Sequence, residues 1–301
     1  MRLLRREVLQ TLLYYDLWEY PLTIRELHAF LPVRVESFPS FTRTVEDLAA
    51  AGDIGADRGY YFVPGRSAAV VDRRIAGHRR ARSMWRWARV STHVIKRCPF
   101  VRGVYVSGDL SKNVSGPGGD VDFFVITVPG RLWITRSLLI MFKKTFLLNR
   151  KKFFCLNLFT AANGLRVDEQ NIYQATEIAQ LKALYNEEMF EAYLEANGWI
   201  TDFFPNFDAS LLNAPPANNR HSIFQRLTER VLELFPLDRI DSSLLRMMES
   251  VWATRYPQFD AETRASIFRS TKTESRAYAG NVQGAILNRY ENALRSYGVL
   301  D

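Results

Sequence analysis

The chain has 301 residues, 47% hydrophobic and 24% charged, with a formal net charge of +8 and an isoelectric point near 9.5. That length admits two domains or one core with additions, and the composition is that of an ordinary globular protein without low-complexity tracts. The basic balance favours polyanionic partners (nucleotides, nucleic acid or a membrane surface) without choosing among them.

Cys98 and Cys155 are the only cysteines, far apart and without metal-type spacing. His28, His78, His93 and His221 have no ligand spacing either, which argues against a zinc site. No signal-peptide pattern opens the sequence. The most apolar helix-like segment, 132–148, is interrupted by Arg136 and by Lys143 and Lys144, too often to span a bilayer. These features imply a reduced cytoplasmic protein with no transmembrane segment.

In chain order, 5–16 reads as a helix with Val8, Leu9, Leu12 and Leu13 on one stripe. Thr23 can cap a short helix over 24–31, and 41–51 reads as a third. Strands at 54–56 and 60–63, separated by Asp57-Arg58-Gly59, form a hairpin signal. Three short helices and a hairpin are the order of a winged helix-turn-helix, so 1–65 is expected to be a winged-helix-like domain. Its third helix offers only Arg43 as a basic residue, beside Glu46 and Asp47, which favours packing or docking of a protein partner over reading DNA.

Residues 66–97 read as a long Arg-rich helix. Val70, Val71, Ile75, Met84, Trp85, Trp87 and Val90 supply a candidate buried stripe, with the arginines on a solvated face. Then 100–107 reads as a strand, 110–113 as a helix start, 121–128 as a strand, 132–148 as a helix and 153–160 as a strand. Beyond 168 everything reads as helical: 172–185, 188–196, 221–236, 240–254 and 276–296, with a linker at 214–219.

The most informative stretch is 103–127. Gly103-Val104-Tyr105-Val106-Ser107-Gly108-Asp109 is a strand running into a glycine turn. Gly116-Pro117-Gly118-Gly119 reads as a flexible gap, and Asp120-Val121-Asp122 opens the very apolar run Phe123-Phe124-Val125-Ile126. Residues i and i+2 of a strand project to one face, so Asp120 and Asp122 converge, which is unfavourable unless a cation is shared. Oxygen clusters of this kind suit Mg²⁺.

These residues resemble the nucleotidyltransferase superfamily of the DNA polymerase beta type over roughly 66–165. The resemblance implies an α/β (α+β) core with a small mixed sheet over 66–168, followed by a helical region over 169–301 that closes over the cleft. It implies Mg²⁺ (or Mn²⁺) held by Asp120 and Asp122, a nucleoside triphosphate as substrate, and transfer of its nucleoside monophosphate to an acceptor hydroxyl on RNA, protein or a small molecule. Gly108, Ser111 and Lys112 stand where phosphate contacts are expected, and Asp109 and Asn157 would line the site. Asp109 replaces the family's usual Ser, and Asn157 replaces its third acid. The expectation is therefore surviving nucleotide binding with slow chemistry, unless Asp109 substitutes. The alternatives are an inactive nucleotide- or nucleic-acid-binding regulator and, less favoured, a DNA-binding regulator. For single residues the plainer readings also stand: Asp120 and Asp122 as a capped loop, Ser111 as a local cap, Lys112 as a solvated side chain, Asp109 as an N-cap and Asn157 as a satisfied buried amide.

Overall fold

The computed structural model describes residues 2–149, 152–208, 222–276 and 282–300. The expected linker at 214–219 and His221 lie outside them. Among the described residues the architecture is mixed α/β with two small sheets, and no helix there is long and apolar enough to cross a membrane.

The chain opens with α1 (Arg2–Asp16), β1 (Leu22–Thr23), α2 (Ile24–Ala29), α3 (Phe38–Ala50), β2 (Gly55–Asp57) and β3 (Tyr60–Phe62). The three strands form an antiparallel sheet in the order β1-β3-β2. Thr23 and Glu26 form a reciprocal capping box that starts α2, as the Thr-x-x-Glu spacing allows.

The 27-residue α4 (Ala69–Ile95) leads to the main sheet. Its buried stripe differs from the expected one: Val70, Val71 and Met84 are inside, but Trp87 and Val90 are exposed. Gly77, Ala81, Ala88 and Ser91 take the inner positions. Small residues let the helix approach closely, and the bulky ones fall to the side, where Trp87 stacks on Phe153 at 4.7 Å.

The main sheet comprises β4 (Val101–Ser107), β5 (Asp122–Thr127), β6 (Cys155–Ala161), β7 (Lys182–Tyr185) and β8 (Glu274–Arg276) in the order β7-β4-β5-β6-β8. β5 runs antiparallel to β4 and parallel to β6, with α6 (Leu132–Phe146) as the crossover; α5 (Gly108–Ser111) is a single turn after β4. Phe123 and Val125 face α4 and α6, while Phe124 and Ile126 face a second core. Burial on both faces is why this strand reads as an unbroken apolar run. The second core includes α1, α7 (Ile172–Gln180), α8 (Glu187–Ala196), α9 (Ile200–Phe203) and part of α13 (Val282–Ser296). Residues 8–63 share that core, so the amino-terminal elements are packed onto the main sheet side.

Two strands correct the all-helical reading beyond 168. The helix over 172–185 stops at Gln180, and Lys182–Tyr185 pairs with β4; Glu274–Arg276 pairs with β6. Neither a glycine nor a proline marks the first break. The open edge of β4 supplies hydrogen bonds that outweigh the helical preference of Lys-Ala-Leu. At three residues without apolar alternation, β8 carries no sequence signal. Helices α10 (Ile223–Leu232), α11 (Leu237–Arg255) and α12 (Ala261–Phe268) fill the remainder.

Arg74, the inward exception among the α4 arginines, joins the amino-terminal elements to α4. Its side chain is 3% exposed and contacts Glu26 at 2.6 Å. It also donates to the Pro21 carbonyl and lies 3.5 Å above the Tyr20 ring. Burial pushes the Glu26 carboxyl up to about 7, opposed by hydrogen bonds from Thr23 and by Lys182, and pushes the Arg74 guanidinium down; the 2.6 Å contact gives each of these poorly solvated groups a partner of opposite charge. Replacing Arg74 by Met removes the ion-pair partner of Glu26 and leaves its carboxyl with hydrogen bonds from Thr23 and Tyr20. Arg74→Met is expected to cost about 3 kcal/mol in urea denaturation, with Glu26→Gln added on top recovering most of the loss. An equal or greater loss in the double variant would refute the pairing argument.

Candidate functional site

The site forms where β4 and β5 end side by side. Their register sets Ser107 opposite Asp122. Gly108 follows with φ +67°, and a Cβ there would stand 2.6 Å from Asp122 Oδ2. Only glycine accepts both that backbone and that approach. The Gly116–Gly119 segment, expected as a flexible gap, is a hydrogen-bonded turn in which the Gly118 and Gly119 amides donate to the Gly116 carbonyl. Ser115 ties it to α4: its amide donates to the Gly77 carbonyl, and its carbonyl accepts from Arg80 Nε at 2.7 Å.

Asp120 and Asp122 converge as expected. One carboxylate oxygen of each and Cys155 Sγ lie within 4.8 Å of one another. Asn157 completes the group, donating from Nδ2 to Asp122 Oδ1 at 2.5 Å and accepting from Cys155 Sγ at 3.1 Å. A β-bulge makes this possible. Phe123 pairs with Leu156 and Phe124 with Leu158, so Asn157 is the extra residue of β6 and its side chain is re-aimed.

Burial first, and Asp120 second, push the Asp122 carboxyl up to about 6. Burial and the same two acids push the Cys155 thiol up to about 12, which keeps it neutral at physiological pH. The two carboxylates are hard oxygen donors that suit Mg²⁺ or Mn²⁺, whereas a protonated thiol contributes little to either. The donor set therefore fits the expected ion through Asp120 and Asp122.

The other expected site residues divide. Ser111 is buried and spends its hydroxyl on the Gly108 carbonyl at 2.7 Å, the local-cap reading rather than a phosphate contact. Asp109 is 64% exposed and pairs with Lys112 Nζ at 3.3 Å instead of joining the two aspartates. Lys112 lies 5.4 Å over the Trp18 ring, and its carbonyl accepts from Tyr20 Oη at 2.8 Å, so the site turn is fastened to the amino-terminal elements.

Two participants were missed by the sequence reading. Cys155 is the register partner of Asp122 across β6, and strand pairing alone would have found it. Glu177, on α7, left no signal beyond being one acid in an amphipathic helix. It lines a cavity of about 190 Å³ together with Ser107, Phe124, Thr160, Tyr173 and Tyr193. Burial raises its carboxyl, Lys112 opposes the shift and Asp109 adds to it. Phe124 follows Asp122 by two residues in β5, so the cavity opens on the sheet face that carries the carboxylates.

No family model matches the chain, and no curated protein or solved structure does so either.

Two expectations follow from this geometry. Gly108→Ala is strained by its positive φ and collides with the Asp122 carboxylate, so it should cost about 1–3 kcal/mol in thermal or urea unfolding and weaken divalent-ion binding; unchanged stability and ion binding would contradict the close approach. Asp122 keeps its proton to about pH 6 when folded, against the usual 3.8 of an aspartate. Its contribution to stability is therefore present below 3.8 and lost as pH rises through 6. In EDTA, Asp122→Asn should lack that decline and melt higher than the parent at neutral pH. A parent that melts higher there would mean the carboxylate is better satisfied than its burial implies.

Proposed function

We propose that the chain is a nucleotidyltransferase-like protein of the DNA polymerase beta type, acting on a nucleoside triphosphate and an acceptor hydroxyl. The observation that carries this reading is the convergence of Asp120 and Asp122, held against Gly108 at the end of a sheet beside a cavity. The order of parts supports it: a strand, a glycine turn opening one helical turn, an Asp-x-Asp at the start of an antiparallel neighbour, and a third strand parallel to that neighbour. The amino-terminal helices and three-stranded sheet are consistent with the winged-helix-like domain and act here as a packing element against the site turn.

Asp120 and Asp122 would hold Mg²⁺ or Mn²⁺. Such an ion supplies neutralisation of the phosphate charge and a lowered pKa for the attacking hydroxyl. The protein's own groups would do the remainder. Lys112 offers a point charge at the mouth of the site, and the backbone at Gly108 leaves room for a phosphate. Asn157 cannot accept the acceptor's proton, and it donates to Asp122. Asp109 is turned away on Lys112. Glu177, half-buried in the cavity wall with its carboxyl raised, is the group we assign to take that proton.

The amide at 157 also favours a second reading, a protein that binds nucleotide without transferring it. Calorimetry of each triphosphate with and without Mg²⁺ tests binding, and α-labelled nucleotide appearing on an added acceptor or on the protein itself tests transfer. Binding that requires Mg²⁺ and is lost in Asp120→Asn and Asp122→Asn variants is expected. Glu177→Gln should bind nucleotide as the parent does while transfer falls about 10²- to 10⁴-fold. Binding without transfer in the parent would establish the second reading, and no binding at all would end both.

A further inference from the structure

Helix α10 is built inside out. Its inner side is polar: Gln225 is buried and donates from Nε2 to the carbonyls of Cys98 and Val101 at 3.1 and 2.8 Å. Glu229 accepts from the Phe100 amide and makes a two-pronged ion pair with Arg102 at 2.9 and 3.0 Å. Leu232 is the apolar side chain of α10 that packs inward, beside Phe100 and Ile134. These bonds fix the rotation of the helix on β4.

At 100° per residue the opposite side collects Ile223, Phe224, Leu227 and Val231, continued through the following turn by Leu234 and Phe235. All six are exposed, Ile223 at 84% and Leu234 at 83%. A contiguous apolar stripe turned to water on a helix anchored by polar contacts marks a surface that something else covers.

The charges beside the stripe indicate what covers it. Arg226 and Arg230 lie on one shoulder, and Arg239 follows at the start of α11; all three are exposed and make no ion pair among the described residues. The acids of the same segment are mostly spent elsewhere: Glu229 on Arg102, Asp238 on Arg131, and Asp241 on the amides of Trp133 and Ile134. Glu233 is the one left exposed and unpaired among the described residues of 223–241. An aliphatic and aromatic stripe with arginines on its shoulder is the pattern of a helix lying in a lipid interface.

We propose that the α10 face docks on an anionic lipid bilayer, with Ile223, Phe224, Leu227, Val231, Leu234 and Phe235 in the acyl boundary and Arg226 and Arg230 at the headgroups. Docking places the protein on a membrane surface without spanning it. It depends in no way on the nucleotide chemistry.

The full chain is tested by flotation with vesicles of phosphatidylcholine alone and of phosphatidylcholine with phosphatidylserine. The parent should float with the anionic vesicles, less so at high salt, and poorly with the neutral ones. Leu227→Glu should abolish flotation, and its exposed position leaves the fold intact by circular dichroism. Arg226→Glu with Arg230→Glu should bind at least about tenfold more weakly. Light scattering of the parent and of Leu227→Glu completes the test. Failure to float, flotation indifferent to these variants, or a soluble dimer that Leu227→Glu dissociates would each overturn the proposal, the last by assigning the face to a second copy.

Discussion

The carboxylate of Asp122 is attached to the first residue of a strand that is dry on both faces, and most of the site follows from that. Water reaches it poorly, a second carboxylate lies beside it, and the Gly108 backbone lies close against it at the turn after β4. The remaining freedom is taken up by the Asn157 amide. Such an arrangement is stable as an acid or as a cation complex, and unfavourable as a bare pair of anions. The sheet register enforces it: a slip of one residue would turn Asp122 into the α4 and α6 core and bring Phe123 to the site.

A second constraint links the amino-terminal elements to this site. Tyr20 supports the Arg74 guanidinium on its ring face and donates from Oη to the Lys112 carbonyl. Arg74 reaches Glu26, and Glu26 caps α2. One chain of contacts thus runs from the start of α2 through α4 to the turn after β4. The geometry of the site turn therefore depends on residues far away in sequence, and the amino-terminal elements are structurally part of it.

The chemistry around the two aspartates is mixed in character. Hard carboxylates face a neutral thiol and an amide that donates inward, while two further acids lie on the surrounding elements, Asp109 turned to Lys112 and Glu177 in the cavity wall. The bulge at Asn157 aims an amide at Asp122, where a carboxylate would add a third negative charge to a poorly solvated pair.

Sequence alone determined the features that follow local rules. The double-faced apolar run of β5, the glycine turn, the Asp-x-Asp pair, the capping box of α2 and the helices at α1, α4 and α6 are written in periodicity, propensity and spacing. Only tertiary structure decided what depends on pairing across the chain. Lys182–Tyr185 became a strand because β4 had an open edge, and Asn157 turned to Asp122 because a bulge shifted the register. Glu177 reached the cavity because α7 packs over the sheet, and Trp87 was displaced from the interior by smaller neighbours on α4. The physical reason is the range of the forces. A cap or a two-residue alternation is settled within one turn or one strand, whereas a bulge, an edge pairing or a desolvated carboxylate exists only once distant segments have closed over one another.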